Sequence, residues 1–396
     1  MPRPKESSFV VQFPLDTEIF QDDILNKRLE IARNIYNALV KLTLNRYGEM
    51  IKTKAYREAV LHLATIDTDD KNARKPYCDI LNRLREEYGI NEYAFHADVK
   101  DMQRHFKDNV DSFTAQKIAT RLWAAYNKMI FGNGEAVHYK KFGEFNSVEG
   151  KSNNTGIRFA DGFLLWNGLK ISVKIDSKNQ YEVSAFDNKI AYCRIVRRFV
   201  RGKYKFYVQI VFKGAPPLKI NKKTGLPKHT LGCGDVGMDI GTQTLAWSAQ
   251  NSVGITELAD RVQNIEDEKR RVLRRMDRSR RATNPDNFNP DGTVKKQGRK
   301  KVKWNRSKRY IKARSRLAEL SRRQATLRKL QHETLANRLL GMGDSFFVET
   351  MNFSGLAKRA KKTEKNDKGK FKRKKRFGKS IANKAPACCL PFWKEN

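Results

Sequence analysis

The sequence predicts an α+β protein of several domains, and three changes of texture along the chain predict it. A single strand pattern opens the chain and leads into a long block of helical periodicity. The next stretch replaces that periodicity with Gly, Asn, aromatics and alternating apolar residues. The last part sets short apolar strands on either side of two long, highly charged helical stretches.

Residues 8–14 read as a strand, because they are β-branched and aromatic and end at Pro14. From about 23 to 48, Leu25, Leu29, Ala32, Ile35, Leu39 and Val40 recur at helical spacing. Further helical patterns cover roughly 54–66, 76–88, 94–108 and 111–131, and the polar segment 67–75 reads as a loop. After about residue 135, four segments read as strands: 163–166, 169–173, 191–196 and 205–212. Together they suggest a small antiparallel barrel or sandwich that takes the N-terminal strand as its first member. Pro216-Pro217 and the Lys/Gly-containing stretch after them read as a linker. Two strands follow, 236–241 and 244–248. Helical stretches at about 258–282 and 305–340 are separated by an Asn/Pro/Gly-rich segment and are expected to pair as a hairpin. Residues 345–349 form another short strand. A Lys/Arg run then extends from 357 to 379.

Composition narrows the function. The 396 residues hold 81 Lys+Arg against 43 Asp+Glu, a net charge of +38. Such an excess opposes compaction unless a polyanion neutralises it, so RNA or DNA is the expected partner. No run of about 20 apolar residues is present, nor any signal-peptide pattern, so no membrane partner is expected and the protein is read as cytoplasmic and nucleoid-associated. The five cysteines form no C-x-x-C pair, so no zinc site is expected in this chain.

Two acids stand out. Asp239 sits between Met238 and Ile240 in an apolar strand. If buried there it would need a partner, a cation or a cleft. Glu349 ends the apolar run Phe346-Phe347-Val348. Each alone is an ordinary strand-end acid. Together they fit the requirement of metal-dependent phosphodiester hydrolysis for carboxylates from different strands converging on one site, with Mg²⁺ as the ion that favours such hard oxygen donors.

The helical stretches carry the cations. Arg270, Arg271, Arg274, Arg275 and Arg278 crowd the first. Lys300, Lys301, Lys303, Arg306, Lys308, Arg309 and Lys312 crowd the second and the segment leading into it. A merely solvated face would carry compensating acids at i±4, and Glu266, Asp267, Glu268 and Asp277 supply few. Phosphate contact is the expected role. Trp304 and Tyr310 are candidates for base stacking or for core positions.

The run Gly237-Met238-Asp239-Ile240-Gly241-Thr242-Gln243-Thr244-Leu245-Ala246 resembles the first RuvC motif of the transposon-encoded TnpB (OrfB) proteins. Phe347-Val348-Glu349-Thr350-Met351-Asn352-Phe353-Ser354-Gly355-Leu356 is similar to their second motif. The basic helical pair between the motifs, and Arg33-Asn34-Ile35-Tyr36-Asn37-Ala38-Leu39 near the start, resemble the family too. The resemblance covers about residues 8 to 386. It implies an RNA-guided DNA endonuclease related to the type V CRISPR effectors, with guide RNA and target DNA as partners. It implies a barrel-like wedge domain from 1–19 and 135–217, and a helical recognition lobe at 20–134. A linker at 218–235 would lead to a partial RNase H-like (RuvC-type) domain at 236–356 with a basic helical insert at 258–340, and a basic tail at 357–396. Asp239 and Glu349 would be the first two catalytic carboxylates and ligands of a two-metal Mg²⁺ site. The family continues with a zinc ribbon and a third catalytic Asp. Here the only acids after Glu349 are Glu364, Asp367 and Glu395, none in such a context. The nuclease domain is therefore expected to be incomplete. A cleavage-inactive RNA-guided DNA-binding repressor and a non-functional truncated transposon remnant stand as alternatives.

Overall fold

The computed structural model describes residues 7–132, 134–221, 223–295, 302–349, 351–358 and 377–388. The chain forms two compact units, Met1–Ile220 and Asn221–Asn396.

The first unit is built on strand alternation. In β1 (Ser8–Asp16), Phe9, Val11, Phe13 and Leu15 point inward, while the residues between them are largely exposed. The chain then leaves the sheet for α1 (Ile19–Met50), α2 (Lys54–Thr65), α3 (Lys71–Glu87), α4 (Glu92–His105) and α5 (Ser112–Phe131). It returns as β2 (Ser147–Glu149), β3 (Arg158–Ala160), β4 (Phe163–Trp166) and β5 (Leu169–Val173), then a short α6 (Gln180–Ala185), β6 (Ile190–Val200) and β7 (Lys203–Lys213). These strands make a seven-stranded sheet of order β2-β6-β7-β1-β5-β4-β3. The sheet curls until its ends meet. The Asn153 backbone N–H donates to the Ala191 carbonyl of β6, and its side-chain amide exchanges two hydrogen bonds with Phe159 of β3, at 2.8 and 3.0 Å. Helices and sheet share one core, in which Leu25, Ile35 and Leu39 of α1 and Leu122 and Tyr126 of α5 join Phe13, Ile195 and Phe212 of the sheet.

The sequence reading misses the short α6, starts the later helix Gln263–Thr283 five residues early and starts α3 late. The segment 67–75 reads as a loop for its polarity, yet α3 begins at Lys71. Asp70 caps it, its carboxylate accepting the Ala73 N–H at 3.0 Å. Pro76 lies inside the helix, one turn beyond its start, and leaves the Asn72 carbonyl without its i+4 donor.

The second unit is a four-stranded sheet with one covered face. β8 (Asp235–Ile240), β9 (Thr244–Ala249) and β10 (Ser252–Glu257) form an antiparallel meander. The chain then makes a helical hairpin from α7 (Gln263–Thr283) and α8 (Lys308–Leu340) before β11 (Ser345–Val348) pairs parallel to β8. The order is β10-β9-β8-β11. Val236, Met238 and Ile240 of β8, with Leu245 and Trp247 of β9, pack on Leu339 of α8 and on Phe353, which opens α9 (Phe353–Ala357). Ile381 of α10 (Gly378–Lys384) joins them. The strand β10 escapes a sequence reading because its apolar residues, Val253 and Ile255, face outward and are exposed. Its inward Gly254 is there for space, since a Cβ would lie 2.6 Å from the Trp247 ring. Helix α10 is clasped by Lys384, whose ammonium donates to the Glu257 carboxylate at 2.6 Å and the Ala259 carbonyl at 3.2 Å. The His332 Nε2–H donates to the Lys384 carbonyl at 2.8 Å, and burial holds that imidazole below its ordinary pKa.

Candidate functional site

Strand pleat decides where Asp239 points. Val236, Met238 and Ile240 take the core face of β8, so Asp239 takes the other, together with Gly237. Asp239 is therefore exposed on the open face of the sheet, and the condition of burial does not arise. The parallel pairing of β8 with β11 then brings Glu349 to it. Phe347 lies opposite Gly237 and Val348 opposite Met238, and the Glu349 N–H donates to the Met238 carbonyl at 3.4 Å. One further step in the same register sets Glu349 beside Asp239, on the same face, one interstrand spacing of about 4.8 Å away along the backbone. Glu349 is exposed too.

The surface on the β9–β10 side of Asp239, away from Glu349, is mostly apolar. Asp239, Gly237, Ala246, Ser248, Val253 and Ile255 border a shallow depression of about 610 Å³. Two adjacent carboxylates on an open face, with hard oxygen donors and room for water, fit Mg²⁺, which keeps several waters and accepts one or two protein carboxylates. Among the described residues no group of three or more His, Cys, Asp or Glu side chains gathers to hold a metal. Glu364, Asp367 and Glu395 lie outside the described residues.

The predicted cations divide into three sets. Arg275 and Arg278 of α7 and Arg309 and Lys312 of α8 line one groove of about 970 Å³ along the hairpin, over Val272 and Ala313. Their spacing places them there, because residues three and four apart share a helix face. Arg316 lines the same groove, as do Ser279 and Ser307, whose hydroxyls are 2.7 Å apart. Arg316 at i+4 from Lys312 was legible as part of that stripe. It also bonds Glu268 across the hairpin.

Arg270 behaves differently, engaging Glu266 at 3.6 Å and Asp267 at 3.3 Å. The acids that looked too few are all in use, since Asp277 also holds Arg280 and Arg281. Arg271 and Arg274 are exposed on α7 outside the groove. Lys303 and Arg306 are exposed in the segment leading into α8, and Lys308 is exposed at its first turn. Lys300 and Lys301 lie outside the described residues.

Trp304 is occupied internally. It meets Phe288 edge-on at 5.6 Å beneath the Arg280 guanidinium, 5.0 Å from its ring, so it builds the hairpin tip. Asn284 ties the tip together, accepting the Asn305 N–H at 2.7 Å and donating to the Asn305 carbonyl at 3.0 Å.

No protein-family model matches the chain, and no curated protein matches it. Solved structures similar to it include a Cas12f1–sgRNA–target DNA complex, at 8% identity and TM-score 0.34, covering 87% of this chain and 81% of that one. Another is a CRISPR-Cas12f ternary complex, at 13% identity and TM-score 0.31, covering 94% of this chain and 70% of that one. Both were determined by cryo-EM. Among the described residues, no helix is long and apolar enough to cross a membrane.

Proposed function

We propose that this chain is a TnpB-like, RNA-guided DNA-binding protein acting in the cytoplasm beside the nucleoid, and that its second unit is an RNase H-like (RuvC-type) domain presenting Asp239 and Glu349 to a phosphodiester. The observation that carries the reading is the β8–β11 register, which sets the two acids side by side on one open face. The sheet that carries them is a three-stranded antiparallel meander with a fourth strand added parallel to its first. The net charge and the cation-lined hairpin groove support polynucleotide partners, a guide RNA and a target DNA. Base pairing would then read sequence, while the protein holds backbone and shape.

Within that reading the residues have separate tasks. Asp239 and Glu349 supply the oxygen donors for Mg²⁺, held at fixed spacing by adjacent strands. Bound Mg²⁺ would activate water and neutralise charge on the scissile phosphate. Arg275, Arg278, Arg309 and Lys312 hold phosphates along the hairpin and set the path of the strand.

The test uses the full chain purified with its co-purifying RNA. Guide-dependent binding to a matched duplex is expected, with weak cutting at most, and any cutting in Mg²⁺ is expected to vanish in Asp239→Asn. Guide-dependent binding with no cutting by the wild-type chain would select the repressor reading. Absence of both RNA and DNA affinity at 150 mM salt would overturn the proposal.

A further inference from the structure

The aromatics of the first unit include three that belong to one exposed surface rather than to the core. We propose that Phe142, Phe199 and Tyr204 form a stacking platform for unpaired bases of a single-stranded polynucleotide, with Lys141 beside Phe142 meeting its phosphates. The platform rests on the nucleic-acid part of the proposed function and is independent of the carboxylate pair.

Phe142 is 81% exposed, although the residues flanking its turn, Val137 and Phe145, are buried. The turn that carries it is held from below. Asn37 of α1 accepts the Lys140 N–H and donates to the Lys140 carbonyl, both at 2.8 Å. The Glu30 carboxylate accepts the Gly143 N–H at 3.0 Å. The Glu144 N–H donates to the Lys141 carbonyl at 3.0 Å, closing the turn. Gly143 has a φ of +76°, which a side chain would resist. So the backbone is fixed on both sides of a large apolar ring that packs into no core. An isolated exposed Phe would need no explanation. An anchored one beside other aromatics does.

Those neighbours sit at the β6–β7 hairpin. A Cβ built on Gly143 would lie 3.6 Å from the Tyr204 hydroxyl, so the turn abuts that ring. Tyr204 meets Phe199 edge-on at 5.3 Å, and the two are 42% and 41% exposed. Beneath Tyr204 lies Arg197, 4% exposed, its guanidinium 4.6 Å from the ring centre. Arg197 is locked by Asn26 at 2.8 Å, Asn146 at 3.0 Å and Glu30 at 3.5 Å. Glu30 therefore braces both the Phe142 turn and the cation under Tyr204. Such bracing lowers the ordering cost of stacking a base.

Charge selects the partner. Lys141 is exposed beside Phe142 in the same turn, and Lys203 and Lys205, which flank Tyr204 in β7, are exposed on the strand face opposite its ring. Ammonium groups next to the exposed rings and along the back of the hairpin that carries them suit a polyanion whose units carry π-faces. A duplex hides those faces and offers only its ends.

The experiment measures fluorescence anisotropy of the full chain with labelled single-stranded RNA, single-stranded DNA and a hairpin-capped duplex DNA without free ends. Truncating one stacking aromatic removes about 1–3 kcal/mol per base, so F142A is expected to weaken single-strand binding about 5- to 150-fold. F142W should stay within about threefold of wild type, and duplex affinity should not move. F142A should also abolish quenching of 2-aminopurine placed in the strand, while the melting temperature is unchanged because the ring is exposed. Loss on RNA alone or DNA alone supports the platform and names its strand. Equal single-strand affinity in F142A and wild type overturns it, as does full retention in F142L, which would mark an apolar contact for a protein. A wild-type chain that binds none of the three probes defeats the nucleic-acid reading as a whole.

Discussion

Replacing Arg275, Arg278, Arg309 and Lys312 together by glutamine removes the four sequence-predicted cations that line the hairpin groove. If each meets one phosphate, four counterions fewer are released on binding. For duplex DNA the slope of log K against log salt should then fall in magnitude by about 3.6, and for a single strand by about 2.8. Between 50 and 200 mM KCl the wild-type chain should accordingly lose about 150-fold more duplex affinity than the variant, or about 50-fold more single-strand affinity. One cation of the same cluster supplies a control. Arg270 belongs to the same cluster but is held by Glu266 and Asp267, so R270Q should change the slope by less than about 0.5. Anisotropy titrations at four or five salt concentrations read both. A quadruple variant within about one unit of the wild-type slope would refute the groove as a phosphate path. An R270Q slope change of about 0.9, one full phosphate, would refute the separation of free from neutralised cations.

Because Asp239 and Glu349 are exposed, D239N and E349Q should alter stability by less than about 0.5 kcal/mol and leave guide-dependent binding intact. Any Mg²⁺-dependent cutting should fall by more than the roughly 10–100-fold that loss of an outer-shell partner causes. Lys384→Met strips the buried clasp from α10, and with Glu257 half exposed the cost is about 1–2 kcal/mol. Calorimetry should show a melting temperature lower by about 2–4 °C per kcal/mol. Burial pushes the Cys193 thiol up to about 12, so at pH 8 only about one part in ten thousand is thiolate. Peptide mapping after brief thiol labelling at pH 8 should find Cys233 modified and Cys193 protected. Since the folded state favours the neutral thiol, this group's contribution to stability is complete below about pH 9 and is lost as pH rises toward 12.

Elements with a strong period were legible. Residues 163–166 and 169–173 read as strands at the bounds they adopt, the first as a continuous apolar run between Gly162 and Asn167 and the second by its alternation after Gly168. Of the helices of the first unit, α1, α2, α4 and α5 read within a few residues; Asp70 as a cap and Pro76 inside the helix disguised the start of α3, and the six-residue α6 was not read. Strands β2 and β3, three residues each, carry no period to detect. The two acids were visible as interruptions of apolar runs, but their adjacency depends on a parallel register across a long insert, which no local pattern encodes. The groove was half visible in the i, i+3, i+4 spacing of its arginines. The neutralisation of Arg270, Arg280 and Arg281 was visible in the same local spacing, while that of Arg316 was not, because the Glu268–Arg316 pair spans two helices. The Phe142 surface was invisible, since its support comes from Asn37 and Glu30, far away in sequence.

The insertion of the α7–α8 hairpin between β10 and β11 also has a kinetic consequence. The β8–β11 pairing joins segments more than a hundred residues apart, as the Gly234 N–H bond to the Asp344 carboxylate shows, with a separation of 110. Closing so long a loop is entropically unfavourable, while the hairpin's own contacts are local and form early. A collapsed hairpin brings the ends of the insert together and shortens the loop still to be closed. The two carboxylates thus meet only in a nearly finished fold, and a partly synthesised or partly unfolded chain holds one acid without the other. Substitutions at Val272, Ala313 or Leu320, remote from the acids, should therefore slow assembly of the carboxylate pair.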